Sequence, residues 1–344
     1  MTSLVLEAAP TPRRLPARLA GIGVAALLAA LVAVPWFSGF ATQRLLVEVL
    51  TLFSIALAWN LLAGYGGLVA IGHHVFVGIG AYALFYLSNT FGINPWLALP
   101  AAGLVTAAFA LAFAWPMFRL HGAYFAVGTW VVAEMLRTLV LNAQWLGAGA
   151  GMPLLTIREF DRATRNHWAY WSALAIAVVA LVGARAMLRG RLGLALRSLK
   201  DAPVAAAACG VPVQGAKLAL WVAAATITGL AAGVSYMNTL QVSPDASFSL
   251  NWTAAAIFIV VLGGIGTLEG PILGVLAYFT LRELFANYGS WYLIGLGLLA
   301  MAVMVLAPAG LWGFFSRNGS SLDLFRIRRI MPAGSTTTKQ RKTE

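Results

Sequence analysis

Long apolar runs recur along almost the whole chain and constrain its fold more than any other feature of the sequence. Most approach the roughly 20 residues that an α-helix needs to cross about 30 Å of hydrocarbon. Backbone amides inside a bilayer must be paired within the protein, and the runs lack the polar alternation of a membrane β-barrel. The sequence therefore predicts an all-α polytopic membrane protein of about ten transmembrane helices. The predicted spans are 19–38, 45–63, 75–88, 95–115, 122–143, 168–188, 217–237, 252–266, 271–286 and 291–307.

The distribution of charge sets the expected orientation of these helices. Only 10% of the 344 residues are charged and 60% are hydrophobic, which excludes a soluble globule. If both termini lie in the cytoplasm, 17 of the 23 lysines and arginines fall in cytoplasmic connections, as the positive-inside rule requires. The net charge of +12 then follows from membrane topology, and we expect no nucleic-acid partner.

Three parts of the chain follow from this topology. We expect a cytoplasmic N-terminal tail over residues 1–18, a transmembrane domain over 19–315, and a basic cytoplasmic tail over 316–344 that contacts membrane lipid. Within the transmembrane domain, two connections are long. The outer one covers 144–167 and the inner one covers 189–216.

The first apolar run also has the features of a signal peptide. Arg13 and Arg14 precede it, and cleavage near Ser38 to Ala41 would leave nine spans. The run at 19–38 is long for a signal peptide, so an uncleaved first helix is favoured.

The inner connection carries the signals of a short cytoplasmic helix. Asp201 can cap its start, Pro203 is tolerated in its first turn, and Gly210 followed by Pro212 ends it. An alanine run at 205–208 lies between these signals. A helix exposed between two spans needs a partner, so we predict a docking segment here.

Motifs for enzymatic or metal chemistry are missing from the sequence. The nearest approach to a phosphate-binding loop, residues 210–215, places Lys217 one position too late and lacks the hydroxyl residue. The four histidines, His73, His74, His121 and His167, show no metal-ligand spacing, and Cys209 has no disulfide partner. We therefore expect no ATP site, metal site or catalytic site in this chain.

Glycines concentrate at membrane depth between residues 64 and 82. Such a segment either lets helices approach closely, which composition favours, or breaks a helix so that its backbone lines a cavity. A related pattern at 263–282 is compatible with parallel repeats. The glycines of the first segment are Gly64, Gly66, Gly67, Gly72, Gly78 and Gly80.

Polar side chains within the predicted spans are few. Glu134 and Arg137 lie three positions apart and are expected to pair on a face directed into the bundle. Arg282 near a helix end is expected to extend to the membrane interface. The remaining polar groups can line a path or bond to a neighbouring helix; they are Asn60, Tyr82, Tyr124 and Thr129.

Six segments, taken in order, resemble the LivM-type permease subunits of bacterial ABC importers for branched-chain amino acids. The resemblance covers about residues 45–315, with Val204 in place of a glutamate of the family's coupling loop and Gly67 in place of a glutamine. The similar segments are 59–67 with Gly72 and His73, 118–126, 134–137, 195–210, 242–248 and 261–271.

The resemblance implies a heteromeric importer that works by alternating access in the bacterial inner membrane. Its other parts would be a homologous LivH-type permease, two ATPases that bind the ATP, and a periplasmic substrate-binding protein. The family's cytoplasmic loop would place ATPase coupling at Arg197, Asp201, Ala205, Ala206 and Gly210. The substrate path would involve Tyr65, Gly66, Gly67, Gly72, Gly78, Tyr82 and Tyr124.

Several alternatives stay open from the sequence. Relatives of this family carry urea, short amides, other amino acids or aromatic acids in place of branched-chain amino acids. A self-sufficient secondary transporter or channel would use Glu134 and Arg137 for ion coupling. A membrane-embedded enzyme would need catalytic groups from the outer connection and His121.

Overall fold

The computed structural model describes residues 29–190, 192–196, 212–285, 291–306 and 310–317. Seven helices within this part of the chain are long and apolar enough to cross a membrane. The prediction of a helical, multi-pass membrane protein is thereby confirmed. The seven are Phe40–Tyr65, Ile71–Phe91, Pro95–Met117, Ala123–Asn142, Arg162–Arg189, Val213–Thr239 and Pro244–Gly263.

The other three predicted spans do not reach this length among the described residues. Of the first, only a helix at 29–37 is described. The ninth corresponds to Gly270–Leu284, with 15 residues, and the tenth to Trp291–Leu306, with 16 residues. The count of ten spans and the cytoplasmic position of both termini therefore remain predictions.

We number the main described helices in chain order and leave the short helical segment at 192–196 unnumbered. They are α1 (29–37), α2 (Phe40–Asn60), α3 (Val75–Phe91), α4 (Pro95–Met117), α5 (Ala123–Asn142), α6 (Arg162–Arg189), α7 (Val213–Thr239), α8 (Pro244–Ser247), α9 (Leu250–Gly263), α10 (Gly270–Leu284), α11 (Trp291–Leu306) and α12 (Gly310–Arg317). A π-helical turn, Leu61–Tyr65, follows α2, and a 3-10 turn, Ile71–His74, precedes α3. Further 3-10 turns are Gln144–Leu146, Ala148–Ala150 and Thr156–Glu159.

Helix α7 lies at the centre of the bundle and packs against α2, α3, α4 and α6. Small residues on these helices allow this close packing, since membrane helices associate mainly through backbone proximity and van der Waals contact. Gly80 of α3 lies directly against Gly229 of α7, and a Cβ at either position would collide with a neighbour. The core of the chain is therefore the contact surface of α7 with its neighbours.

Local capping explains where several helices begin. The side chain of Asn94 accepts a hydrogen bond from the Trp96 amide at the start of α4, where Pro95 occupies the first helical position. Asp161 caps α6 in the same way through the Ala163 amide. The outer connection predicted to extend to residue 167 therefore ends at Asp161.

One end of the bundle is closed by a short pair of antiparallel strands. Strand β1 (Met152–Pro153) pairs with β2 (Gln241–Val242), which joins the connection after α5 to the turn after α7. The side chain of Asn89 bonds to the same connection through the Pro153 carbonyl and the Leu155 amide. These bonds fix the position of the α7–α8 turn and hence of helix α8.

Candidate functional site

The glycine-rich segment breaks the membrane helix between α2 and α3. After the π-helical turn the chain leaves the helical conformation at Gly67, whose φ is +66°, and returns to it at Ile71. A left-handed φ of this kind strains residues other than glycine. The sequence had favoured close packing for this segment over a broken helix, and the structure contains both.

A second break, between α9 and α10, lies against the first. Asn60 is fully buried, and its side-chain amide donates to the Thr267 carbonyl at 2.7 Å, while its Oδ1 accepts from the Gly266 amide at 2.8 Å. Gly64 also lies against Gly266, with no room for a Cβ. Of the two roles predicted for Asn60, the hydrogen bond to a neighbouring segment is the one observed.

Close approach accounts for several of the predicted glycines. The Gly72 amide donates to Thr129 Oγ1 at 3.1 Å, and a Cβ at Gly72 would collide with the Thr129 carbonyl. A Cβ at Gly78 would collide with the ring of Phe248, and one at Gly66 with the Leu62 carbonyl and a Leu220 side chain. The prediction of close packing is confirmed for these three positions.

The adjacent histidines point to different helices. His73 Nε2 lies 2.7 Å from Thr228 Oγ1 of α7, and His74 Nδ1 lies 3.0 Å from Thr253 Oγ1 of α9. The His74 amide also donates to Thr253 Oγ1 at 2.9 Å. The two histidines therefore hold the 3-10 turn against α7 and α9, which is a structural role.

The three tyrosines assigned to the substrate path are not brought together. Tyr65 is half-buried beside the first break, and Tyr82 is buried with its ring stacked on Phe248 at 6.2 Å between centroids. Tyr124 is 78% exposed at the start of α5. Of the three, Tyr124 is therefore the one that is mostly exposed on the described chain.

Helix α5 is the most exposed of the seven candidate spans. Of its most apolar 18-residue stretch, 22% is buried inside the protein, against 72% for the span that contains α2. Its outward face is unusually polar for a membrane helix. Alongside Val127, Val131 and Met135 it presents Tyr124, Glu134, Thr138 and Asn142, all of which are exposed.

A cluster of three charged residues lies on this helix and its neighbour. Arg137 donates through Nε and Nη2 to Glu134 Oε1, at 3.0 and 2.7 Å, and through Nη1 to Asp245 Oδ1 of helix α8. The side chains of Arg137, Glu134 and Asp245 are 30%, 49% and 71% exposed. We call Glu134, Arg137 and Asp245 the ion triad.

The ion triad confirms one expectation and corrects another. Glu134 and Arg137 do pair, as their spacing predicted. The expectation that they face the interior of the bundle was wrong for this chain, because α5 buries its opposite face, at Phe125, Thr129 and Ala133, against the core. Asp245 was not identified as a site residue from the sequence, although it is an acidic residue within a candidate span.

A second ion pair joins distant parts of the chain. Arg282 of α10 donates to both carboxylate oxygens of Glu48 on α2, instead of extending alone to the interface. The two side chains are 31% and 40% exposed. This pair supports the packing of α10 on α2 and lies outside the ion triad.

The residues assigned to ATPase coupling lie outside the described residues. They are Arg197, Asp201, Ala205, Ala206 and Gly210, and the same holds for most of the basic tail. On either side of this gap, α6 ends at Arg189 and α7 begins at Val213, close to the limits predicted for the inner connection.

Together, the seven candidate spans and the buried helix breaks define a multi-pass helical membrane protein. The family described as branched-chain amino acid transport system, permease component, matches residues 41–308, so the chain belongs to this family. It is a transport component, as the sequence had indicated.

Individual relatives agree with the family assignment. The chain is 30% identical to the high-affinity branched-chain amino acid transport system permease protein LivM of Salmonella typhimurium, over 81% of this chain and 72% of the relative. It is 29% identical to the LivM protein of Escherichia coli, over 83% and 73%. The probable LivM protein of Methanocaldococcus jannaschii is 22% identical, over 75% and 89%. No solved structure matches the chain.

Proposed function

We propose that this chain is one of two permease subunits of an ATP-driven importer that moves branched-chain amino acids across the bacterial inner membrane. The observation that carries the proposal is the family match over residues 41–308, which includes all seven candidate spans except the first residue of Phe40–Tyr65. The names of the relatives supply the substrate class.

The exposed polar face of α5 favours a substrate path that runs along the side of this chain. Charged residues at membrane depth face a protein partner or a water-filled cavity, because their exposure to lipid is unfavourable. Glu134 lies near the middle of α5, and the described part of this chain leaves it half-exposed. A LivH-type permease placed against this face would enclose the polar stripe and complete a path between the two subunits.

Alternating access in this assembly requires partners on both sides of the membrane. Two ATPases would bind ATP and dock on the inner connection, at Arg197, Asp201, Ala205, Ala206 and Gly210, and a periplasmic binding protein would deliver the substrate. The chain would hold no cofactor of its own. Asn60 joins the two tightly packed helix breaks, and Gly72 joins the 3-10 turn to α5. These segments would move as one body with their helices, since packed interfaces shift between discrete arrangements.

The test is reconstitution of the assembly that this chain forms in its native membrane. The chain is affinity-purified from that membrane, its companions are identified by mass spectrometry, and the complex is placed in proteoliposomes. We expect a second permease and two P-loop ATPases, with uptake of leucine, isoleucine or valine only when ATP and the binding protein are present.

The same preparation tests the alternatives. Uptake by the purified chain alone, driven by a proton or sodium gradient, would contradict the proposal and support a secondary transporter. ATP-dependent uptake of urea, short amides or aromatic acids in place of branched-chain amino acids would support the assignment as an importer and contradict the proposed substrate class.

A further inference from the structure

Two arginines line one small cleft at the end of the bundle that the sequence predicts to be outer. The cleft is formed by Arg44 near the start of α2, Arg165 and Asn166 in the first turns of α6, and Asn238 near the end of α7. We call it the arginine cleft. The positive-inside rule disfavours arginine on the outer side, so two arginines that meet there from different helices call for an explanation.

No acidic side chain of the described residues pairs with these arginines. Neither Arg44 nor Arg165 takes part in the ion pairs found in that part of the chain. Asp161, which precedes Arg165 by one turn, instead caps α6 through the Ala163 amide. Arg44 is exposed and Arg165 is half-buried, so the cleft carries two positive charges that an anion can reach.

A buried donor beside the arginines also lacks an acceptor. Asn166 is 6% exposed, and its Nδ2 has no hydrogen-bond partner among the described residues. A buried donor left unpaired is unfavourable, and an oxyanion bound in the cleft would supply the missing acceptor. Guanidinium and amide groups are donors suited to phosphate oxygens. The arginine cleft therefore has the chemistry of an anion site.

The surroundings of the cleft are those of a membrane surface. Helix α6 has 28 residues, about 42 Å at 1.5 Å per residue, so its ends extend beyond about 30 Å of hydrocarbon. Trp168 of α6 is 49% exposed, and its ring centre lies 6.2 Å from that of Trp96 and 6.1 Å from that of Trp171. Tryptophans concentrate at the level of the lipid headgroups. The arginine cleft therefore lies at the depth of a headgroup phosphate.

Apolar side chains beside the cleft suit the rest of a lipid molecule. Leu45 follows Arg44 and is 44% exposed. Phe40, one turn earlier on α2, is 43% exposed, and the guanidinium of Arg162 lies 5.5 Å from its ring centre. Acyl chains would cover this surface, whereas a free inorganic anion would not. The neighbourhood of the cleft thus favours a phospholipid over a small anion.

We propose that the arginine cleft binds the phosphate group of an anionic phospholipid at this surface of the membrane. The helices that line the cleft, α2, α6 and α7, pack on one another, whereas α5 packs mainly on α3 and the 3-10 turn. The site is thus separate from the polar face of α5 and goes beyond the proposed function. A bound lipid would bridge the ends of three helices, among them the central helix α7.

The first experiment maps binding on the wild-type protein, purified with the subunits that accompany it and placed in nanodiscs of phosphatidylcholine. The probe is phosphatidylglycerol with a photoreactive diazirine at the start of one acyl chain. We expect crosslinks within residues 36–48, 162–171 or 236–240. Excess unlabelled phosphatidylglycerol should abolish them, and inorganic phosphate, compared with chloride at equal ionic strength, should leave them unchanged.

The second experiment compares Arg44→Gln and Arg165→Gln with Arg119→Gln, the matched control. Arg119 is exposed near the end of α4, where its guanidinium lies 3.5 Å from the ring centre of Trp115. We expect each cleft variant to raise the fraction of phosphatidylglycerol needed for half-maximal labelling by about fivefold, the effect of one basic residue at a membrane surface. Arg119→Gln should leave that fraction at the wild-type value.

Three results would overturn the inference. The first is crosslinking confined to residues away from the cleft. The second is an unchanged labelling curve in Arg44→Gln and Arg165→Gln, or an equal shift in Arg119→Gln. The third is displacement of the probe by inorganic phosphate at equal ionic strength, which would identify a site for small anions. If the cleft variants fail to fold, the crosslinking map and the competition on the wild-type protein decide.

Discussion

Asn60 and Gly266 are joined by a hydrogen bond of 2.8 Å across 206 positions of sequence, from the Gly266 amide to Asn60 Oδ1. The same side chain donates to the next carbonyl, that of Thr267. Backbone groups freed by a break in a membrane helix must find partners inside the protein. Asn60, the last residue of α2, supplies such partners for the break between α9 and α10.

Replacing Asn60 with alanine should destabilise the chain. The change would leave the Gly266 amide and the Thr267 carbonyl without this partner, at about 1–3 kcal/mol for each buried group left unpaired. Asn142→Ala is the matched control, because Asn142 is exposed and, among the described residues, its side chain bonds within its own helix, to the Thr138 carbonyl. Thermal unfolding of the purified protein in detergent should show a clear fall in Tm for Asn60→Ala alone. Equal Tm values for the two variants would contradict this role.

The seven long helices could be predicted from local sequence, whereas the break after α2 was the less favoured of two predictions for the glycine-rich segment. Apolar length identifies a membrane helix whatever its neighbours are, and the six glycines between 64 and 80 marked the segment that leaves the helix. The partner of that segment could not be predicted, because the Asn60 side chain can form a hydrogen bond with any backbone amide that lies near it. Only the packing of α9 against α2 selects the amide of Gly266.

Gly72→Ala should abolish transport without preventing insertion into the membrane. A Cβ at this position would meet the Thr129 carbonyl, and backbone cannot rotate away as a side chain can. Overpacking of this kind costs about 1–3 kcal/mol and separates α5 from the 3-10 turn. Substrate uptake and membrane content, measured on the same vesicles, separate the two effects.

The control for this glycine is Gly183→Ala. Gly183 lies in α6 and has open space where a Cβ would be, so alanine there should be neutral or stabilise the helix by about 0.5–1 kcal/mol. Normal uptake by Gly72→Ala would show that α5 and the 3-10 turn need not touch.

The orientation of α5 is the part of the site that sequence reasoning placed wrongly. A spacing of three puts Glu134 and Arg137 on one face, but it does not say which way that face points. In a soluble protein a polar face points to water by default, whereas in a membrane either lipid or a neighbouring helix can adjoin it. Arg137 bonds to Asp245, which lies 108 positions away in the sequence. Neither helical periodicity nor composition can predict such a contact.

Asp201→Ala should uncouple ATP hydrolysis from transport in the assembled importer. Loss of an N-cap costs a helix about 0.5–2 kcal/mol, enough to weaken the short coupling helix that we propose at this connection. Asp161→Ala is the control, because Asp161 caps α6 in the described structure and lies on the connection predicted to be on the outer side. Hydrolysis stimulated by loaded binding protein, measured together with uptake, should change only in Asp201→Ala. Unchanged coupling in both Asp201→Ala and Gly210→Leu would contradict the docking assignment.

The pair of Glu48 and Arg282 should contribute little to stability, although its geometry is bidentate. Its side chains are 40% and 31% exposed, and ion pairs open to solvent are worth about 0.2–1 kcal/mol because water and salt screen the charges. A double-mutant cycle with Glu48→Gln and Arg282→Gln, followed by thermal unfolding in detergent at low and high salt, measures this coupling energy. We expect a value within that range that falls as salt rises. A coupling energy of several kcal/mol that is insensitive to salt would contradict this weak role and would mean that the pair is closed off from water in the assembled membrane protein.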